Sequence, residues 1–102
     1  MKEYEVYVPI YYNDRRPVEA EKFESLQEIL LEQFGGVTYF AVPNSGLWKM
    51  ADVVYRDDVV IYRVITSDVS RARRFFELLK QQLKVELAQE EILIVERDVR
   101  MI

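Results

Sequence analysis

From Glu3 to Tyr12 the chain alternates: Tyr4, Val6, Val8 and Ile10 form one wholly apolar set, and Glu5, Tyr7, Pro9 and Tyr11 a mixed one. A period of two predicts a strand with one face on a core. Asn13 to Arg16 reads as a polar turn, and Pro17 suits a first helical position because its missing N–H would have no partner there. The helix is expected from about Pro17 to Phe34, with Ala20, Phe23, Leu26, Ile29, Leu30 and Phe34 on its apolar stripe and Gly35 as its left-handed stop. Val37 to Val42 predicts a second strand, ended by turn chemistry at Pro43-Asn44-Ser45-Gly46. The pattern then weakens. Leu47 to Asp58 allows either an extended loop or a short strand, Val53-Val54-Tyr55, pairing across a turn at Arg56-Asp57-Asp58. Val59 to Thr66 is apolar on both faces except at Arg63, as a central strand should be. A second helix follows, capped by Ser67 or Asp68 and buried through Val69, Ala72, Phe75, Phe76, Leu79 and Leu83, fading near Leu87. Glu91 to Val99 predicts the last strand, with Leu93 and Val95 on one face and Ile92 and Ile94 on the other.

The order βαββαβ, in a single domain spanning residues 1–102, predicts an α+β ferredoxin-like sandwich. Its sheet would be four-stranded and antiparallel, in strand order 4-1-3-2, with both helices on one face. The other face then needs an explanation. Keeping Arg63 out of the core places Val59, Ile61, Arg63 and Ile65 there, beside Glu5, Tyr7, Pro9 and Tyr11 from the first strand and Ile92, Ile94 and Glu96 from the last. So large an apolar field predicts a homodimer formed through the open face, with Tyr7, Tyr11, Ile61, Arg63, Ile92 and Ile94 at the interface. Arg63 between Glu5 and Glu96 reads as an ion-pair cluster that fixes register, ahead of a catalytic carboxylate pair.

Composition narrows the chemistry. The chain has 102 residues, with 14 basic against 18 acidic ones and a net charge of -4. That balance argues against nucleic acid and anionic membranes as partners, both of which depend on summed positive charge. There is no cysteine and no histidine. Thiol chemistry, zinc held by sulfur or imidazole, and histidine-based triads are therefore excluded, and no metal or cofactor is expected. No apolar run reaches the ~20 residues of a membrane span, and the first residues lack the apolar core of a signal peptide, so a cytoplasmic protein is expected.

One end of the predicted sheet gathers most of the remaining chemistry. The Asn13 to Arg16 turn, the connection from Pro43 to Asp58 and the entry to the last strand near Gln89-Glu90 would meet there, with the N-terminus of the first helix as an anion site. Trp48 and Tyr12 could form an aromatic wall, and Arg15, Arg16 or Arg56 could hold the carboxylate or phosphate of a small anionic or aromatic ligand. The competing reading folds Trp48 onto the sheet edge and pairs the arginines with Asp57 and Asp58. At the other end, Arg71, Arg73 and Arg74 begin the second helix against its dipole. An arginine bonding the carbonyls near Phe34, with Glu77 in helical reach of Arg73 and Arg74, explains them better than a phosphate site.

The segments Gly35-Gly36-Val37-Thr38 and Gly46-Leu47-Trp48, with the strand ending near Thr66 and the later run Gln89-Glu90-Glu91-Ile92-Leu93, carry a resemblance. In its Gly-x-Thr and Gly-x-Trp motifs the chain resembles a loosely defined group of small bacterial proteins that look ferredoxin-like, some of them predicted to be lipoproteins or secreted. No leader like theirs is expected from Met1 to Glu5, which has no apolar run. More distantly the chain is similar to the dimeric α/β-barrel proteins, which include monooxygenases and heme-degrading enzymes, although those with heme use a histidine. The resemblance implies an architecture and no activity. Two functional readings follow: a homodimeric interaction or small-ligand-binding module, or a cofactor-independent enzyme, monooxygenase- or isomerase-like, acting on a small aromatic or carboxylated metabolite. In the second, Arg15 or Arg56 would hold the anion and Asp57, Asp58 or Tyr12 would transfer a proton.

Overall fold

A computed structural model describes all residues, 1–102. The elements are β1 (Lys2–Pro9), α1 (Ala20–Phe34), β2 (Thr38–Met50), β3 (Val53–Thr66), α2 (Val69–Glu86) and β4 (Ile94–Asp98). They form one α+β unit whose four strands pair antiparallel in the order β2-β3-β1-β4, which is 4-1-3-2 read from the other edge. Neither helix is long and apolar enough to cross a membrane.

Both helices meet the same side of the sheet. Tyr4, Val6 and Val8 of β1 and Val60, Tyr62 and Val64 of β3 are buried there against Leu26 and Leu30 of α1 and Ala72, Phe76, Leu79 and Leu83 of α2. Aromatic stacking ties the layers together: Tyr4 lies on Phe76 with ring centroids 4.4 Å apart, and Phe76 lies on Phe34 at 5.3 Å. Gly35 ends α1 at φ 76° and donates its N–H to the Leu31 carbonyl, the left-handed stop its position predicts. Arg71 also behaves as expected, donating to the Gln33 carbonyl at 2.9 Å with its guanidinium over the Phe34 ring.

Three elements differ from their sequence reading. Helix α1 starts at Ala20, not Pro17, because residues 10–18 close a small hairpin of their own. There Val18 donates to the Ile10 carbonyl, Tyr12 donates to that of Arg16, and Pro17 pairs with Tyr11 as an extended residue. Strand β2 runs through the supposed turn at Pro43 to Gly46. Its register with β3 shifts between Phe40 and Asn44, so Pro43 falls in a bulge, where no ladder N–H is required. The chain reverses instead at Ala51-Asp52, between the paired Met50 and Val53, and Arg56, Asp57 and Asp58 lie within β3 rather than at a turn. The result is a long two-stranded arm.

The third difference is the register of β4. Val6 pairs with Ile94 and Tyr4 with Glu96, which puts Ile94 and Glu96 on the helix side. Ile92 is only 2% exposed within the core and Ile94 packs against it, so both are corrected from interface residues to core residues. Glu96 instead bonds Arg73 of α2 at 2.7 Å, which draws Arg73 away from Glu77. The open face receives Val95 and Arg97, opposite Glu5 and Glu3.

Candidate functional site

The open face can be read row by row from the pairing. Tyr7, Ile61 and Phe40 form one row, and Pro9, Val59 and Asn44 the next. Along the arm the same face continues through Gly46 and Asp57, Trp48 and Tyr55, then Met50 and Val53. No helix covers it.

On the other side of the Tyr7 row lies an ion cluster. Arg63 places Nη2 3.2 Å from Glu5 and Nε 3.0 Å from Glu3, while Nη1 of Arg97 lies 2.6 Å from Glu3 and also bonds Glu5. Two carboxylates thus meet two guanidiniums, which closes the charge within the cluster. Glu5 is only 5% exposed. Burial pushes its carboxyl up, but the bonds from Arg97 and Arg63 outweigh that and hold it below the ordinary carboxylate value. Glu3 and Arg97 are the members of this cluster that sequence reasoning missed. The place of Arg97 was given to Glu96 by the one-residue difference in register.

The arm presents apolar residues on both of its faces. Leu47 is 74% exposed, Val54 62% and Met50 58%, and Trp48, Val53 and Tyr55 are exposed as well. No residue between Val37 and Val60 is buried. A two-stranded ribbon with neither face packed is marginal in water.

A cleft of about 380 Å³ opens where the arm leaves the sheet, floored by Tyr7, Pro9 and Val59 and walled by Trp48 and Leu93, with Asp57 and Glu91 among its lining residues. The indole sits close over Gly46, since a Cβ added there would lie 4.0 Å from Trp48 Nε1. Glu91 is held at 2.9 Å by Lys80, and this bond keeps its carboxyl below the ordinary value.

Of the ligand-binding residues read from sequence, the cleft contains Trp48 alone, together with Asp57 from the proton-transfer set. Tyr12 donates to Glu19 and accepts from Lys22 at the start of α1, and Arg16 pairs with Asp14 and lies over the Tyr12 ring. Glu19, the N-cap residue of α1, makes no side-chain cap bond and turns its carboxylate to Tyr12 and Lys22. Arg15 covers the Tyr11 ring, beyond the end of β1. Arg56 and Asp58 pair at 3.6 Å and share Ser45. Asp57, Asp58 and Tyr12 therefore occupy three separate settings. No group of three or more Asp or Glu side chains is gathered in a way that could hold a metal ion.

No protein-family model matches the chain, and no curated protein is significantly similar to it in sequence. Similar folds occur among solved structures. A phage SAM lyase in complex with S-methyl-5'-thioadenosine superposes with a TM-score of 0.64 at 10% identity, over 95% of this chain and 80% of that one. The phage SAM lyase in its apo state gives 0.66 at 13% identity, over 94% and 78%. The PII-like protein CutA from Nostoc sp. PCC 7120, in apo form, gives 0.59 at 19% identity, over 97% and 81%. At these identities the likeness concerns the fold alone.

Proposed function

We propose that this chain is a self-associating, small-ligand-binding module on a ferredoxin-like scaffold, whose open sheet face and arm are covered by a second copy of the chain. The observation that carries the proposal is the arm: a ribbon with Leu47 and Val54 on one side and Trp48, Met50, Val53 and Tyr55 on the other, none of it buried within the chain. A flat face-to-face dimer through Tyr7, Ile61 and Phe40 would cover only one side of that ribbon, so the arm itself must lodge against the partner. The ion cluster supports the same arrangement, because a charge-neutral group at the face meets an apolar surface at lower cost than a lone arginine does. A small-molecule site on a similar fold has a precedent in the phage SAM lyase bound to S-methyl-5'-thioadenosine. The cleft beside Trp48 is the corresponding proposal for this chain, and a second copy on the open face would supply its missing wall. The enzymatic reading gains no comparable support, since its proton-transfer candidates do not converge.

Sedimentation of the wild-type chain and of Tyr55→Asp and Ile61→Asp tests this reading. A homodimer at micromolar concentration that either aspartate converts to a folded monomer is expected. A wild-type chain that stays monomeric at ~100 μM, a concentration at which an interface of ordinary size is occupied, would overturn it.

A further inference from the structure

We infer that the cleft beside Trp48 takes a small organic cation, a flat apolar body carrying an ammonium or similar N–H donor group, and not the carboxylate or phosphate that the arginine-rich sequence favours. This rests on the small-ligand reading above and specifies its chemistry. The cleft lining contains Asp57 and Glu91 and no lysine or arginine. The arginines of that region are turned elsewhere, Arg56 to Asp58 and Ser45, Arg16 to Asp14, and Arg15 to the Tyr11 ring.

The unused hydrogen-bonding capacity points the same way. Gln89 spends its amide N–H groups on Asn13 and the Leu87 carbonyl, leaving its side-chain oxygen free. Asn44 donates to the Val42 carbonyl and likewise keeps its oxygen. Glu91 commits one oxygen, Oε1, to Lys80 and to the Ile92 N–H. The Asp57 carboxylate has neither an ion-pair nor a hydrogen-bond partner, and across the strand from it stands Gly46, which has no side chain to cover it. The vacant acceptors, three of them carboxylate oxygens, outnumber the vacant donors, which include the Trp48 indole N–H, and they await donors. The Trp48 and Tyr7 rings add faces that attract a cation and pack against a flat body.

Three probes of similar size, phenethylammonium, 2-phenylethanol and phenylacetate, separate charge from shape. Binding is read from Trp48 emission excited at about 295 nm and from the amide resonances of Gln89 and Leu93. Phenethylammonium should bind about tenfold more tightly than phenylacetate, the scale of one charge-assisted hydrogen bond in a partly solvated site. Asp57→Asn, which keeps the shape of the side chain, should abolish most of that ratio. Gly46→Ala tests the place independently, because its added Cβ meets only ordinary contacts, 3.8 Å from the Asp57 carbonyl oxygen and 4.0 Å from Trp48 Nε1. It should weaken all three probes together and leave their ratio intact. Phenylacetate binding as tightly as phenethylammonium, or a preference that survives Asp57→Asn, would overturn the cation inference while leaving a ligand site in place. Probes that move neither Trp48 nor Gln89 and Leu93, or affinities untouched by Gly46→Ala, would overturn the ligand site itself.

Discussion

Glu5 shows how a single side chain is made tolerable where water is nearly absent. A buried carboxylate is costly alone, and here two guanidiniums offset that cost by direct bonds. Because its carboxyl is held below the ordinary value of 4.5, Glu5 contributes stability that is present above that pH and lost as the pH falls through the folded value. Glu5→Gln should therefore be less stable than wild type at neutral pH, and the gap in urea midpoint should close on acidification below about 4.5. A gap that stays constant from neutral to acid pH would show that the cluster does not act through charge. Part of this cluster was legible beforehand. Arg63 stood out as the one charge in an otherwise apolar strand, and alternation placed Glu5 on the same face. Arg97 did not stand out, because Leu93 and Val95 are as apolar as Ile92 and Ile94, and a strand greasy on both faces carries no mark of its register.

Among the elements, the arm departs furthest from its sequence reading, for local reasons. Pro43, Asn44, Ser45 and Gly46 are turn residues by type, yet each has a place in a strand. Pro43 sits in the bulge, Asn44 opposite Val59, Ser45 bonded to Asp58 across the ladder, and Gly46 opposite Asp57. The real turn, Ala51-Asp52, carries no glycine and no proline, and Asp52 is its only turn-forming residue, a weaker mark than the Pro43 to Gly46 run. Ala51 pays for this with a backbone φ of 54°. A left-handed alanine costs roughly 1–2 kcal/mol, and the extra freedom of an unfolded glycine returns about half of that. Ala51→Gly should accordingly stabilise the chain by about 0.5 kcal/mol, seen as a higher urea midpoint at one fixed protein concentration. A lower midpoint would mean that the tip is not strained as described. The helices were easier to read, since Ala72, Phe76, Leu79 and Leu83 recur at helical spacing and are the residues α2 buries.

At the scale of the whole molecule, two helices on one face of four strands complete one core and leave the rest of the apolar surface uncovered within the chain. Tyr7 and Ile61 lie half-buried on the open face, as the alternation of β1 and the single charge between Val59 and Thr66 implied, whereas Ile92 and Ile94 belong to the core. The arm enlarges the surface to be covered beyond anything legible in the sequence, because its two strands were separated there by a false turn. Trp48 stands on that arm and is the only tryptophan in the chain. Its accessibility to acrylamide, followed as the chain is concentrated from nanomolar to ~100 μM, a span bracketing the affinities of ordinary interfaces, therefore reads the covering of the arm directly. Quenching that falls severalfold across a single transition, in step with a doubling of mass, is the predicted result. Quenching that remains high and constant across the whole range would contradict the account.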